Sequence, residues 1–122
     1  MILGLDISTS ITGFCVLGDD GDVMHSGYID MRKEKDFFTK VQIAKEKIVE
    51  TIREHKIDDI WIEQSLQAFR PGMSSIKTLL TLAKFNGILS WVIWEETSKE
   101  PTYIGASTAR KTCGIKITRG EK

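Results

Sequence analysis

Two carboxylates, each at the end of a short apolar run, are the side chains of this sequence best suited to chemistry. Asp6 follows the run Ile2–Leu5, and Glu63 follows the run Ile60–Ile62. Such runs are typical of strands buried on both faces, where an unpaired charge is costly. A divalent cation between neighbouring carboxylates would offset their repulsion, and oxygen-only ligands suit Mg²⁺ or Mn²⁺ rather than zinc. The pair therefore indicates a metal site of the kind that handles phosphates or cuts nucleic acids.

Asp6 also has a purely structural interpretation. Its carboxylate can accept hydrogen bonds from backbone N–H groups of the turn at Ser8–Ser10, as short polar side chains do. Because apolar residues flank Asp6 on both sides, we expect its side chain to be shielded from solvent. Glu63 favours the metal interpretation, since two carboxylates at one sheet edge repel unless a cation or a shared proton intervenes.

The histidines and cysteines are weaker candidates. His25 and His55 have no partner for a catalytic triad, so we interpret both as surface or packing residues. Cys15 and Cys113 are too few for a disulfide framework and lack metal-ligand spacing, which indicates reduced thiols in a cytoplasmic protein. The chain shows no signal-peptide pattern, and its longest apolar run, Ile88–Trp94, is far shorter than a membrane span. We expect a soluble protein without membrane contact.

The elements that position the two carboxylates follow from the spacing of apolar residues. Strands are predicted over Ile2–Ile7, Thr12–Leu17 and Val23–Ile29, and their short connections favour an antiparallel meander. Helical spacing then begins after Asp36, which is a suitable N-cap, and a short strand follows that ends at Glu63. Because a helix crosses between them, this strand should run parallel to the first. The carboxyl ends of both strands, with Asp6 and Glu63, then meet at one sheet edge.

A second helix is predicted from a cap at Ser74 or Ser75 to about Glu96, with two apolar stripes. The first stripe is Ile76, Leu80, Ala83, Gly87, Trp91 and Trp94, and the second is Leu79, Leu82, Phe85, Leu89 and Val92. A sheet covers only one side of a helix, so the other stripe needs its own partner. We expect a homodimer through the helix around Ser74–Glu96; the alternative is that the C-terminal residues cover the stripe.

The remaining pattern completes an α/β domain. Pro101–Ile104 is predicted as a further strand, and Ser107 can cap a short helix that runs through Cys113. The 122 residues fit one domain, with 41% hydrophobic and 28% charged residues. We therefore predict a single domain over residues 1–122, with a mixed five-stranded sheet and helices on both faces.

Charge is unevenly distributed along a chain whose net charge is zero. Residues 1–36 carry seven acidic and three basic side chains, whereas residues 99–122 carry six basic and two acidic side chains. An acidic metal site beside a basic, phosphate-contacting surface fits this distribution. Ordinary solvated surface charge explains it equally well.

Four segments together resemble the RuvC-type Holliday junction resolvases, members of the ribonuclease-H-like nuclease superfamily. Ile2–Gly13 resembles their first strand and turn, and Ile62-Glu63-Gln64 their second acidic motif. Leu79–Gly87 is similar to their long helix, and Thr108–Gly114 to their late basic segment. Order and spacing agree over essentially the whole chain. The first motif alone is shared with sugar kinases and actin-like ATPases, and the four together are more specific.

The resemblance implies a ribonuclease-H-like fold, a four-carboxylate site with two Mg²⁺ or Mn²⁺ ions, and a dimer that places two such sites on branched DNA. Asp6 and Glu63 match the first two carboxylates; Asp6, on the central strand, would bridge both ions and Glu63 would hold one. The last two carboxylates of the family lie on a C-terminal helix after the basic segment. This sequence ends at Lys122, before such a helix. We expect either a piece of a longer nuclease or a chain that binds without cutting.

Further residues are candidates for contact with DNA. Phe69 and Arg70 lie in the loop after the Glu63 strand, where an aromatic ring can stack on an unpaired base; the alternative is a Phe69 tucked into the core beside an exposed Arg70. The resemblance supports the first, because the family inserts this loop into the junction. The candidate phosphate contacts are Arg110, Lys111, Lys116 and Arg119.

The sequence leaves two other functions open. One is a non-catalytic module that binds branched DNA with a nuclease fold. The other is a fragment of an actin-like ATPase or kinase, whose first phosphate motif resembles Gly4–Ser10. Such proteins close two domains on ATP, for which 122 residues are too few.

Overall fold

Five strands form one mixed sheet in the computed structural model, which describes residues 1–64 and 76–105. The elements in chain order are β1 (Ile2–Asp6), β2 (Ile11–Leu17), β3 (Val23–Asp30), α1 (Phe37–His55), β4 (Asp59–Gln64), α2 (Ile76–Thr97) and β5 (Thr102–Gly105). The sheet order is β3-β2-β1-β4-β5, antiparallel from β3 to β1 and parallel from β1 to β5. The predicted meander and the parallel pairing of the first and fourth strands are confirmed.

Both described helices pack on one face of the sheet, which we call the core face. Leu3 and Leu5 form its centre, and their register partners on β2 and β4 are also buried: Val16, Phe14, Ile60 and Ile62. One hydrophobic cluster joins these side chains to Ile48 of α1 and Phe85 of α2. We call the opposite side the open face. Helices were predicted on both faces; the two described helices lie on the core face alone, and the helix predicted over Ser107–Cys113 lies outside the described residues.

The two ends of α1 follow from local chemistry. Asp36 is its N-cap, and one carboxylate oxygen accepts hydrogen bonds from the Thr39 N–H and the Thr39 hydroxyl, both at 2.9 Å. Lys56 caps the C-terminal end of the helix: it adopts the left-handed conformation (φ 52°) and donates its N–H to the Ile52 carbonyl. The N-cap predicted from the sequence is confirmed. The caps predicted for the second helix, Ser74 and Ser75, lie outside the described residues.

The Asp36 cap should make stability depend on pH. The Thr39 hydroxyl, and then the Thr39 N–H, hold the pKa of Asp36 below its ordinary value of 3.8. A carboxylate with a lowered folded-state pKa contributes stability above about pH 4 and loses it as pH falls through the folded pKa. Asp36→Asn keeps a capping oxygen but cannot titrate, so its urea midpoint should fall less than that of the parent between about pH 5 and pH 2. Superimposable pH profiles would contradict this role.

Two glycines in the β2–β3 pair differ in how tightly they are enclosed. A Cβ on Gly27 would lie 2.9 Å from Cζ and 3.1 Å from Cε1 of the buried Phe14 ring, whereas a Cβ on Gly13 would meet no atom closer than 3.9 Å. Gly27→Ala should therefore displace the ring and cost about 1–3 kcal/mol of unfolding free energy. Gly13→Ala is the matched control and should leave the urea midpoint almost unchanged. Equal midpoints for the two variants would refute the packing argument.

The two stripes of α2 have different surroundings. From the second stripe Phe85, Leu89 and Val92 are buried. The large residues of the first stripe remain exposed: Ile76 by 72%, Leu80 by 63%, and Trp91 and Trp94 by 53% each. The sheet thus covers one side of the helix, as predicted, and the first stripe is uncovered by the described part of the chain.

The helix α2 is more apolar as a whole than its longest uninterrupted apolar run indicates. Although its longest uninterrupted apolar run is short, the whole 22-residue helix is long and apolar enough to cross a membrane, with a mean hydropathy of 1.3 over its best window. Core helices of soluble proteins meet the same criterion. Here α2 packs on α1, and a two-point ion pair joins Arg53 to Glu96 at 2.8 and 3.1 Å.

Candidate functional site

The register of β1 and β4 brings the two candidate carboxylates together. Asp6 and Glu63 are direct partners in this parallel pair, each at or near the carboxyl end of its strand. Neighbouring strands lie about 4.7–4.9 Å apart, and partners in register project to the same side of the sheet. Both side chains therefore lie on the open face, because Leu5 and Ile62, one residue earlier, lie on the core face.

Asp6 is exposed, so the expectation of a shielded carboxylate is wrong. Apolar neighbours in sequence do not shield it because they project to the other side of the strand. Leu5 and Ile7 are buried against the core face, whereas Asp6 faces away from both described helices. An exposed carboxylate keeps its hydration and remains accessible to a ligand from solution.

The turn after β1 is held by hydroxyl groups rather than by Asp6. The Ser8 N–H donates to the Thr12 hydroxyl oxygen at 3.2 Å, and that hydroxyl donates to the Ser8 carbonyl at 2.8 Å. The Ser10 N–H donates to the Ser8 hydroxyl oxygen at 3.2 Å. Asp6 accepts no hydrogen bond from any described residue. The turn-capping interpretation of Asp6 is therefore wrong, and its oxygens are not used by the fold described here.

A single row of register partners crosses the sheet through Asp6 and Glu63. Asp6 pairs with Gly13 of β2, Gly13 pairs with Tyr28 of β3, and on the other side Glu63 pairs with Ile104 of β5. All five positions belong to the open face, since register partners share a face. The row thus holds an exposed aromatic side chain, a position without a side chain, and two adjacent carboxylates.

The donors of this row fit a hard divalent cation. Two carboxylates supply oxygen ligands of the type that Mg²⁺ and Mn²⁺ prefer. In residues 1–64 and 76–105 there is no cluster of three or more His, Cys, Asp or Glu side chains that could hold a metal ion. Among these residues, Asp6 and Glu63 are therefore a pair of carboxylates rather than part of a larger ligand cluster.

The other residues predicted at the site lie outside the described ranges. These are Phe69, Arg70, Arg110, Lys111, Lys116 and Arg119. The described structure therefore brings together Asp6 and Glu63. It adds Gly13 and Tyr28, which sequence reasoning missed because strand pairing in register is needed to align them with Asp6.

The histidines lie on the other side of the sheet. His25 stacks on His55 with ring centroids 5.3 Å apart and contacts the Phe14 ring at 5.5 Å. His25 is the register partner of the core-face residue Val16, so this pair is remote from the carboxylate row. These contacts agree with packing roles. Cys15 is half-buried and forms no disulfide bond with another described residue, and Cys113 lies outside the described residues.

Comparison with solved structures defines the class of fold. The chain superposes on Thermus thermophilus RuvC in complex with a Holliday junction substrate with a TM-score of 0.77 and 12% identity, covering 98% of this chain and 77% of that one. Against the yeast mitochondrial Holliday junction resolvase Ydc2 the TM-score is 0.55, with 16% identity and coverages of 98% and 61%. The mixed five-stranded sheet with its helices is the ribonuclease-H-like fold, as in RuvC.

Sequence comparison agrees with the fold. The crossover junction endodeoxyribonuclease RuvC of Aliarcobacter butzleri is 32% identical over 105 residues, which cover 78% of this chain and 60% of that protein. RuvC of a Sulfurovum species is 31% identical over 98 residues, with coverages of 78% and 58%. No family model matches. The chain is therefore similar to the RuvC-type Holliday junction resolvases in both sequence and fold, and it spans about three fifths of the length of the two RuvC proteins compared by sequence.

Proposed function

We propose that this chain carries the nuclease fold of an endonuclease that resolves four-way DNA junctions by metal-dependent phosphodiester hydrolysis. The observation that carries the proposal is the pairing of Asp6 with Glu63 at the carboxyl ends of two parallel strands, on a face left open by both described helices. The relationship to RuvC-type resolvases supports the choice of a four-way junction as substrate.

The roles of the two carboxylates follow from their positions. Asp6, on the central strand and exposed, and Glu63 beside it would hold Mg²⁺ or Mn²⁺ ions at this edge of the sheet. When bound, such ions neutralise the phosphate and provide an activated water. Asp6 and Glu63 would hold the cations beside the scissile phosphate, where hydrolysis adds the water oxygen to phosphorus, breaks the P–O bond to the leaving oxygen and passes a water proton to that oxygen. A complete two-ion site requires further ligands beyond this pair.

Contacts away from the carboxylates would provide affinity for DNA. We propose phosphate contacts by the late basic residues Arg110, Lys111, Lys116 and Arg119, which would give binding a strong salt dependence. Phe69 would stack on an unpaired base at the branch point beside Arg70. These roles rest on residue type and on the family resemblance.

A homodimer is the second part of the proposal. The exposed first stripe of α2, with Leu80, Trp91 and Trp94, presents an apolar surface of the composition found at the centre of protein interfaces. A two-fold dimer through this stripe would place two carboxylate rows on one substrate with two equivalent strands. The symmetry of the protein would then match that of the junction.

One alternative is a module that binds branched DNA without cutting it, supported by the structural similarity to RuvC in complex with a Holliday junction substrate. The actin-like ATPase alternative has no comparable support, because the solved structures compared above are resolvases.

The experiment that tests the proposal is incubation of the chain with a labelled four-way junction and with a matched duplex, in Mg²⁺, in Mn²⁺ and in EDTA. Paired nicks near the branch that require a metal are expected of a resolvase. Selective junction binding without nicks would establish the non-catalytic alternative. Equal affinity for junction and duplex, without nicks, would overturn both.

A further inference from the structure

Tyr28 of β3 is the most exposed large hydrophobic residue among the described ones, and packing within residues 1–64 and 76–105 does not account for its position. Its side chain is 80% exposed, and its hydroxyl makes no hydrogen bond to another described residue. The other tyrosine of the chain, Tyr103, is 41% exposed and donates its hydroxyl to Ser90 at 2.8 Å. Structural packing therefore explains Tyr103 and leaves Tyr28 unexplained.

The position of Tyr28 relative to the carboxylates is set by strand register. Asp6 pairs with Gly13, and Gly13 pairs with Tyr28. A Cβ built on Gly13 would lie 3.9 Å from Cδ1 and Cε1 of the Tyr28 ring and 3.9 Å from Cβ of Asp6. The ring and the carboxylate residue thus border the same unfilled space above Gly13, which any side chain at position 13 would occupy.

The chemistry of this arrangement suits a nucleotide. Two carboxylates repel the polyanionic backbone unless cations are bound, whereas an aromatic ring binds the uncharged parts of a nucleotide without adding charge. Because Gly13 has no side chain, no group at this position separates the Tyr28 ring from the place where the phosphate would bind. A strand that crosses this row would have its phosphate beside Asp6 and Glu63 and its neighbouring sugar and base beside Tyr28.

We propose that Tyr28 is a positioning residue, whose ring packs against the sugar and base of the nucleotide adjacent to the phosphate held at Asp6 and Glu63, with Gly13 as the floor between them. This inference rests on the proposed function and deepens it by assigning a strand-holding contact to β3. The contact is made by the ring rather than by the hydroxyl, so Tyr28→Phe should retain the affinity for DNA.

The first test compares the chemical reactivity of Tyr28 with that of Tyr103 in the same samples. The parent chain is nitrated with tetranitromethane alone, with duplex and with a four-way junction, and both tyrosines are quantified by mass spectrometry. Junction binding is measured in the same samples. We expect junction DNA to protect Tyr28 and to leave Tyr103 unchanged, because Tyr103 pairs with Ile62 on the core face. Bound junction that leaves Tyr28 fully reactive would overturn the proposal.

The second test separates the ring from the hydroxyl and from general effects on the strand. Tyr28→Ala should weaken junction binding by roughly 5- to 100-fold, the range for loss of one aromatic stacking contact, and Tyr28→Phe should restore it. Met24→Ala is the matched control, since Met24 is a 56% exposed residue of the same edge strand away from the row. It should bind as the parent does.

The outcomes distinguish this inference from the proposed function. If the parent binds the junction selectively and Tyr28→Ala binds equally well, Tyr28 has no role while the proposed function stands. If Tyr28→Phe loses as much junction affinity as Tyr28→Ala, or if Met24→Ala loses affinity as well, ring packing is refuted. If the parent does not prefer the junction, the proposed function fails and the strand contact fails with it.

Discussion

Asp6→Asn should abolish metal-dependent cleavage of a four-way junction and lower Mn²⁺ affinity by more than about 100-fold. Even groups that only orient a metal ligand typically contribute 10- to 100-fold, so loss of a bridging ligand should cost more. The amide is almost isosteric with the carboxylate but carries no charge. Stability should be unaffected, because Asp6 is exposed and accepts no hydrogen bond from a described residue.

The measurement combines Mn²⁺ titration, followed by electron paramagnetic resonance, with cleavage of labelled junction. Metal binding is informative even if the chain itself does not cut. Asp19→Asn is the matched control, since Asp19 is a 98% exposed carboxylate in the β2–β3 connection, at the opposite end of the sheet. It should behave as the parent does. A variant of Asp6 with the parent's metal affinity and cleavage rate would remove Asp6 from the site.

Leu80→Glu should convert a dimer of this chain into a monomer. Leu80 is 63% exposed in the first stripe of α2, and a two-fold interface carries each substitution twice. Burying two uncompensated carboxylates against the apolar stripe should cost several kcal/mol and raise the dimer dissociation constant by more than about 100-fold. Exposed in the monomer, the same glutamate should not destabilise the fold.

Sedimentation equilibrium at roughly 50 µM checks this prediction, where the parent should show twice the monomer mass of 13.8 kDa. Phe38→Glu provides the matched control, because Phe38 is a 67% exposed apolar residue of α1 outside the stripe. Its dimer should persist. A parent that sediments as a monomer at this concentration would refute the interface, and a dimeric Leu80→Glu variant would place the interface elsewhere.

Periodicity and short motifs were sufficient to predict the elements and their pairing. The predicted meander, the parallel placement of the Asp6 and Glu63 strands, the Asp36 cap and a second helix with one uncovered stripe all appear in the structure. These features depend on local propensities and on the handedness of helix crossovers, which short segments already carry. Four short segments were also sufficient to indicate the resemblance to RuvC-type resolvases.

Only the tertiary structure decided which side of each element is covered. Alternation along β1 defines two faces, but the packing of α1 and α2 on the Leu3 and Leu5 side is what leaves Asp6 exposed. In the same way, hydroxyl groups from Ser8 and Thr12 hold the turn that Asp6 was expected to cap.

The sequence thus determined that two carboxylates meet, and the tertiary structure determined what surrounds them. Tyr28 and Asp6 are 22 positions apart, and only the pairing of three strands in register aligns them across Gly13. Such an alignment depends on contacts between residues distant in sequence, and a one-residue shift in pairing would place Tyr28 on the opposite face. Alternation of apolar residues limits the possible registers, and burial of the core face in the assembled sheet selects one of them.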